Sequence, residues 1–451
     1  MSDVTLSLVS HTNVGKTTLA RTLLRRDIGV VLDAPHVTEV SEAHELIALE
    51  GTRLLLWDTP GFGDTARLVQ RLRREGSPLG WFLHQVWDRA RDRPLWCSQQ
   101  AARNVREDAD LVLYLVNAAE DPRAAGYVEL ELEILAWIGK PVLVLLNQTG
   151  PEGARDAELV GRWREALEGT PIVREVLALD AFSRCWVQEG FLLERAARHL
   201  DAAKAAELRR LSEAWNARNL GVFAATAAAM ARFLGQAAAD REPLPGERAS
   251  QAQKTASMSE LARRLESAER ELWDEAIAAH GLEGRAAVEL ARALEHVSVE
   301  GQSSARPGRD ALIGGAISGA LGGLAADLAA GGLTFGGGLV LGALLGALGG
   351  AGLGQGFDLV RGRGAPQVRW NDEFRSRLLR RTLLRYLTLA HFGRGRGPFA
   401  EGQPDARWSA AVERIAARGV TLDRDGVRNA LRALLTEAYP ESRSLFAGTK
   451  P

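Results

Sequence analysis

Cysteine is scarce: Cys97 and Cys185 lie far apart in 451 residues, so neither a disulfide framework nor a thiol-spaced metal site is expected, and an intracellular setting is the simpler one. Net charge is scarce as well, since 56 Lys and Arg nearly balance 57 Asp and Glu. No global field draws such a chain to nucleic acid or anionic lipid, and any such attraction has to be local. The opening residues MSDVTLSLVS lack a basic stretch followed by an apolar one, so no signal peptide is expected. Repeats of solenoid length are absent too. What remains is a chain with 25% charged and 46% apolar residues, globular in composition and too long for one core.

Residues 1–180 alternate short apolar runs with polar or helical stretches. Val4–Val9, Arg53–Trp57, Leu111–Val116 and Pro141–Leu146 read as strands, three of them nearly continuous in Val, Leu and Ile. Strands buried on both faces have this composition, which predicts an α/β domain with a mostly parallel sheet. His44–Leu49 and Arg53–Trp57 flank a Glu50-Gly51-Thr52 turn and suit an antiparallel hairpin. The stretch between Gly61 and Asp110 is expected to be helical, with Trp81, Trp87 and Trp96 serving as core residues.

From about Asp180 the composition becomes helical, and an all-α region is expected. Ala196–Leu234 carries Leu200, Leu208, Leu211, Trp215 and Phe223 at helical spacing, and Ser259–Trp273 puts Leu261, Leu265, Ala268 and Leu272 on one stripe. Arg241–Gly246, with two prolines, reads as a linker. A last helical unit runs from Trp370, interrupted at Gly393–Pro398. The resulting division is 1–190, 191–305, 306–363 and 364–451.

Ser10-His-Thr-Asn-Val-Gly-Lys-Thr17 follows the first strand and precedes the helical run Thr18–Arg25. It fits the phosphate-loop pattern, except that Ser10 stands where the first glycine normally sits. Backbone N–H groups of Asn13, Val14, Gly15 and Thr18 would line phosphates, Lys16 would reach the β and γ oxygens, and Thr17 would bind Mg²⁺. Asp58-Thr-Pro-Gly61 closes a second strand and matches Asp-x-x-Gly, where the Asp holds Mg²⁺ through water and the Gly N–H senses the γ-phosphate. Between them, Thr38 is the expected switch threonine ahead of Thr52, completing a metal set of Thr17, Thr38 and Asp58.

On these residues the chain resembles the Era/TrmE/EngA branch of bacterial GTPases. The resemblance implies a Ras-like G domain, GTP and GDP as ligands, and a potassium ion beside the phosphates held with help from Asn13. A glutamine directly after the Asp-x-x-Gly glycine orients water in Ras-type enzymes; here Phe62 stands there, as is usual in this branch, and Asp64 is at hand without an assigned role. The base loop departs from the family pattern Asn-Lys-x-Asp. Asn147-Gln148-Thr149-Gly150 keeps an asparagine to orient the loop and Gln148 to cover the base, but lacks the guanine-reading aspartate. Such buried polar pairs discriminate by about 10⁴ or more, so ATP or relaxed base choice stands as the alternative. Glu152 is a substitute reader or a solvated residue, and Ala181–Ser183 is the candidate last base loop.

Residues 311–357 hold one charged side chain, Asp327, with Gly315, Gly319 and Gly323, then Gly338, Gly342, Gly346, Gly350 and Gly354, at intervals of four. That spacing puts glycine on one helical face, and two arms of about 20 residues joined near 329–336 would each span ~30 Å. Arg306 and Arg309 precede the tract and Arg361, Arg363 and Arg369 follow it, so both ends are expected on the cytoplasmic side of the membrane. A hairpin packed in a soluble bundle or an oligomer has the same spacing. The helix Phe374–Leu389, rich in arginine, rests on headgroups or is solvated. The whole arrangement is similar to a bacterial group in which an Era-like domain precedes a helical domain with a glycine-rich hairpin.

The leading expectation is a slow GTPase switch, with Lys16, Thr38 and Gly61 acting on the phosphates, coupled to a membrane-associated helical region and an unidentified activating or effector protein. The alternative is a membrane scaffold or pore-like homo-oligomer in which nucleotide signals assembly. No nucleic-acid partner is expected, because no basic–aromatic surface or RNA-binding module is evident.

Overall fold

The structure, a computed structural model, describes residues 3–25, 41–73, 92–149, 156–179, 185–282, 357–360, 365–391 and 406–447. It divides into two compact units, Met1–Asn219 with Ala390–Pro398, and Leu220–Leu389 with Phe399–Pro451.

In the first unit, β1 (Val4–Ser10) leads into α1 (Lys16–Leu24), followed by β2 (Glu42–Leu49), β3 (Thr52–Asp58), α2 (Thr65–Leu72) and α3 (Arg93–Glu107). Next come β4 (Leu111–Asn117), α4 (Gly126–Ile138), β5 (Val142–Asn147), α5 (Asp156–Ala166), β6 (Val173–Ala178), α6 (Trp186–Ala197) and the start of α7 (Ala202–Ala239). Among the described residues the strands form one sheet in the order β2-β3-β1-β4-β5-β6, parallel except for the β2–β3 hairpin.

The alternation within each strand explains the layering. Leu111, Leu113 and Leu115 join one core with Leu19, Leu192 and Trp215, whereas Val112, Tyr114 and Val116 join the other with Leu68, Leu95 and Trp163. A period of two between two apolar faces is what a strand covered on both sides requires. The hairpin turns at Glu50 and Gly51, both at positive φ (50° and 83°), the two-residue geometry that suits the twist of paired strands.

The single helical run expected over Ala196–Leu234 is broken: α6 ends at Ala197, and Asp201 starts α7 by accepting from the N–H groups of Ala203 and Lys204. Leu208, Leu211 and Trp215 of α7 then pack on the sheet. By length and composition α7 is the one described helix able to cross a membrane, but half of its most apolar window is buried within the protein.

In the second unit α8 (Gln251–Ala279) and α9 (Asp372–Ala390) are accompanied by α10 (Ala406–Ala417), α11 (Arg424–Ala438) and α12 (Arg443–Ala447). This mainly helical unit also holds a small antiparallel sheet. Arg241–Pro243, read above as linker, is its β7 and pairs with β9 (Gln367–Trp370), which also pairs with β8 (Phe357–Val360). Arg264 of α8 fixes β7 through Asp240 (2.9 Å) and Glu242 (2.6 Å), and Phe357, Trp370 and Phe374 stack in succession. Pro243 is tolerated because β7 is an edge strand, and Pro245 falls beyond its end.

The arginines of α9 pair with carboxylates of the same unit. Arg381 and Arg385 turn inward onto Glu269 of α8, Arg380 pairs with Glu413, and Arg375 and Arg377 pair with Asp372 and Glu373. The basic face of this helix, open between headgroup binding and plain solvation on sequence, is thus largely paired with the protein's own carboxylates. The glycine-rich stretch 311–356 lies outside the described residues.

Candidate functional site

The loops following β1, β3 and β5 meet at the carboxyl edge of the sheet, where parallel α/β folds bind ligands. The first loop is shaped by backbone that few residues accept: Asn13 has φ 65° and Gly15, the cap of α1, has φ 98°. A Cβ on Gly15 would lie 2.7 Å from Asn147 Nδ2. Its absence lets that amide donate to Val14 O at 2.7 Å, so the asparagine ending β5 clasps the loop after β1. The positive end of α1 opens at Gly15, with no side-chain cap over it, as anion-binding helix starts do.

Lys16 is 7% exposed and donates through Nζ to Ser10 Oγ at 2.9 Å. The serine in the first-glycine position thus gives the ammonium an acceptor. Burial pushes the Lys16 pKa down, while the charges of Asp58 and Glu131 oppose the shift. Gly61 packs directly on this centre, because a Cβ there would meet Thr12 at 3.1 Å and Lys16 Nζ at 3.2 Å.

Thr17 Oγ1 donates to Asp58 Oδ2 at 2.7 Å. Burial raises the Asp58 pKa, with Lys16 and the Thr17 hydrogen bond acting against it. The second carboxylate oxygen, Oδ1, is buried without a hydrogen-bond partner. A buried acceptor left unpaired is costly, and hard oxygen ligands at such a place suit Mg²⁺. The residues present therefore fit the ion.

The remaining sequence candidates divide clearly. Val14 and Thr18 are buried, Asn13 is exposed on the loop, and Gln148 is half-buried at φ 58°. Thr52, the second choice for the switch threonine, begins β3 at the far end from Asp58, about 20 Å away at strand rise, and is no part of the site. Thr38, Gly150, Glu152 and Ala181–Ser183 lie outside the described residues. Asp64 is exposed and caps α2 by accepting from the Arg67 N–H at 3.2 Å. Phe62 is fully buried in the core that also holds Leu68, Val69 and Leu95, and its N–H donates to Ser10 O at 2.9 Å.

Sequence reasoning passed over a polar group next to this loop. Glu131 of α4 is fully buried, with His11 Nδ1 at 2.7 Å, Thr65 Oγ1 at 3.2 Å and the Tyr114 hydroxyl at 2.7 Å. The available signal was its place on the apolar stripe of Val128, Leu132 and Leu135, where a carboxylate needs a partner.

Comparison with known proteins agrees with this geometry. A family described as "Domain of unknown function (DUF3482)" matches residues 174–433, more than half of the chain. The chain belongs to the DUF3482 family. Its N-terminal part, residues 5–148, matches the family described as "50S ribosome-binding GTPase" and is a P-loop GTPase domain of the Era/MnmE kind. The tRNA modification GTPase MnmE of Bacillus velezensis is 27% identical over 167 residues, 37% of this DUF3482 protein and 29% of that one. GTPase Era of Geobacter sp. (strain M21) is 26% identical over 144 residues, 32% of this chain and 39% of its own. The chain thus spans well under half the length of these relatives. A solved Era variant from Aquifex aeolicus bound to GDP·AlF4⁻ matches with a TM-score of 0.34 and 19% identity, over 44% of this chain and 57% of that one.

Proposed function

We propose that this chain is a GTP-binding switch that hydrolyses GTP slowly in the presence of Mg²⁺ and couples nucleotide state to a membrane-associated helical region. The observation that carries the reading is the convergence of Lys16, Thr17 and Asp58, with Asp58 Oδ1 buried and lacking a donor. Lys16 brings positive charge to the β and γ oxygens of the bound nucleotide, and the helix N-terminus adds its dipole. Thr17 and, through water, Asp58 would hold Mg²⁺, which would supply charge neutralisation to the phosphates. Gly61 packs against Lys16, and its N–H would be offered to the γ-phosphate. Hydrolysis is slow because Phe62, at the usual water-orienting position, is withdrawn into the core. Potassium beside Asn13 accelerates it, in keeping with the resemblance to the Era/TrmE branch.

Membrane association is supported by the length and composition of 311–357 and by the arginines flanking it, which favour the inner face of the cytoplasmic membrane. The test is turnover by the full chain with GTP or ATP, Mg²⁺ and either potassium or sodium. Faster GTP turnover than in Lys16→Ala, with preference for GTP and potassium, is expected; equal rates in the two proteins refute hydrolysis. Pelleting with vesicles after a high-salt wash tests the membrane half, and a protein that stays in the supernatant refutes it.

A further inference from the structure

Resting on the hydrolase reading, we infer that Glu131 and His11 are positioning residues that clamp the segment after Asp58 onto the phosphate loop. Glu131 Oε1 faces both His11 Nδ1, from the phosphate loop, and Thr65 Oγ1, from the start of α2, so one carboxylate oxygen joins the two loops. The Thr65 hydroxyl hydrogen is shared between Glu131 and Gly63 O at 3.0 Å. Tyr114 donates to Oε2 from β4 in the sheet. The imidazole is one-third exposed and lies over Tyr127, ring centroids 4.4 Å apart, whose hydroxyl donates to Glu120 at 2.8 Å.

Neighbouring contacts point the same way. The Phe62 N–H donates to Ser10 O, and the Gly63 N–H donates to Ser98 Oγ, both at 2.9 Å. Gly63 is so close to Pro94 that a Cβ would come within 2.5 Å. Gly61 therefore sits between two anchored points, Phe62 in the core and Thr65 on Glu131, with its free face toward Lys16. A side chain on the stripe of Val128, Leu132 and Leu135 gains nothing from charge in packing alone, and a buried carboxylate persists there only while its donors stay in place. Any slip of the phosphate loop relative to residues 61–65 breaks a bond to that charge. The clamp thereby fixes where Gly61 stands beside Lys16.

The experiment compares full-chain variants in GTP turnover with Mg²⁺ and potassium. Glu131→Gln and Thr65→Val cut the link from its two sides, whereas Tyr114→Phe removes a donor from the same carboxylate and leaves the link intact. The expected result is a kcat about tenfold or more lower in the first two, with KM for GTP within about threefold, and near-normal kcat in Tyr114→Phe. If Glu131→Gln does not fold, Thr65→Val carries the comparison. Unchanged kcat in the link variants, or an equal loss in Tyr114→Phe, overturns the clamp. If the unmodified chain turns over no faster than Lys16→Ala, the hydrolase reading fails separately, and hydrogen exchange decides the clamp. Faster exchange at residues 61–65 in the link variants, with α1 unchanged, supports it; unchanged exchange overturns it.

Discussion

Removing Glu269 is the sharpest test of how the second unit is built. Both oxygens of this 7%-exposed carboxylate accept from Arg381 Nη2, at 2.6 and 2.7 Å, and Oε1 also accepts from Arg385 Nη1 at 2.6 Å. Glu269→Ala leaves two guanidinium groups in α9 without their shared anion, Arg385 being only 8% exposed. Breaking a buried pair from one side costs about 3–5 kcal/mol. For a unit of this size that lowers the melting temperature by roughly 6–20 °C. Calorimetry of the full chain, with hydrogen exchange across residues 372–390, reads the change and assigns it to α9. Burial alone would raise the Glu269 pKa, but Arg385 and Arg381 outweigh it and hold the carboxyl below its ordinary 4.5. A depressed folded pKa contributes stability above the unfolded value and loses it as pH falls through the folded one. The unmodified protein therefore loses this contribution below about pH 4.5, and Glu269→Gln lacks that limb of the profile. If Glu269→Ala changes melting by less than ~2 °C, the inward placement of the arginines is wrong, and a surface-facing basic helix becomes the better description.

Gly15→Ala forces an L-residue into φ 98° and drives its methyl to 2.7 Å from Asn147 Nδ2. The backbone term is ~1–2 kcal/mol and the displaced Asn147–Val14 hydrogen bond adds about 1 kcal/mol. Thermal unfolding and GDP titration should both register the loss, and a variant that matches the unmodified protein in both refutes the clasp. Phe62→Gln does not create a faster enzyme, because the side chain at 62 points into the core. It costs roughly 3 kcal/mol through lost packing and a buried amide, and kcat stays flat or falls; a gain in kcat would show that position 62 reaches the nucleotide.

Legibility follows the range of the interactions. The strands were readable because most are nearly continuous apolar runs, as strands covered on both faces must be, and Lys16, Thr17 and Asp58 because they stand at or just after strand ends, where the fold puts ligand-binding loops. The hairpin turn announced itself through Glu50-Gly51. Glu131 and Glu269 did not, because α4 contains the run Glu129-Leu-Glu-Leu-Glu133 and α8 many carboxylates at similar spacing. Which of them turns inward is decided by donors far off in sequence: His11 lies 120 residues from Glu131, and Arg381 lies 112 from Glu269. β7 was hidden for the same reason, since three residues with a proline become a strand only through their partner Gln367–Arg369.

The docking of residues 61–65 also limits how a nucleotide signal can travel. Freeing the segment means breaking the Phe62–Ser10, Gly63–Ser98 and Thr65–Glu131 hydrogen bonds and drawing Phe62 out of the core. At about 1 kcal/mol per bond and roughly 2–3 kcal/mol for the phenyl ring, release costs on the order of 5 kcal/mol. One hydrogen bond from Gly61 to a γ-phosphate is worth about 1.5–3 kcal/mol, too little to drive both docking and release. On the proposed switch reading, Gly61 would therefore meet the γ-phosphate from a fixed place. Motion has to begin elsewhere, and one described residue stands at a suitable root. Arg25, directly after α1, has φ 56° and donates to Asn219 of α7 at 2.7 Å, with Glu189 of α6 3.7 Å away. A displacement passing through Arg25 reaches α6 and α7 without disturbing residues 61–65. Hydrogen exchange in the GDP and GTP states should then differ around Arg25 and Asn219 and agree at 61–65, and the opposite pattern would refute a fixed Gly61.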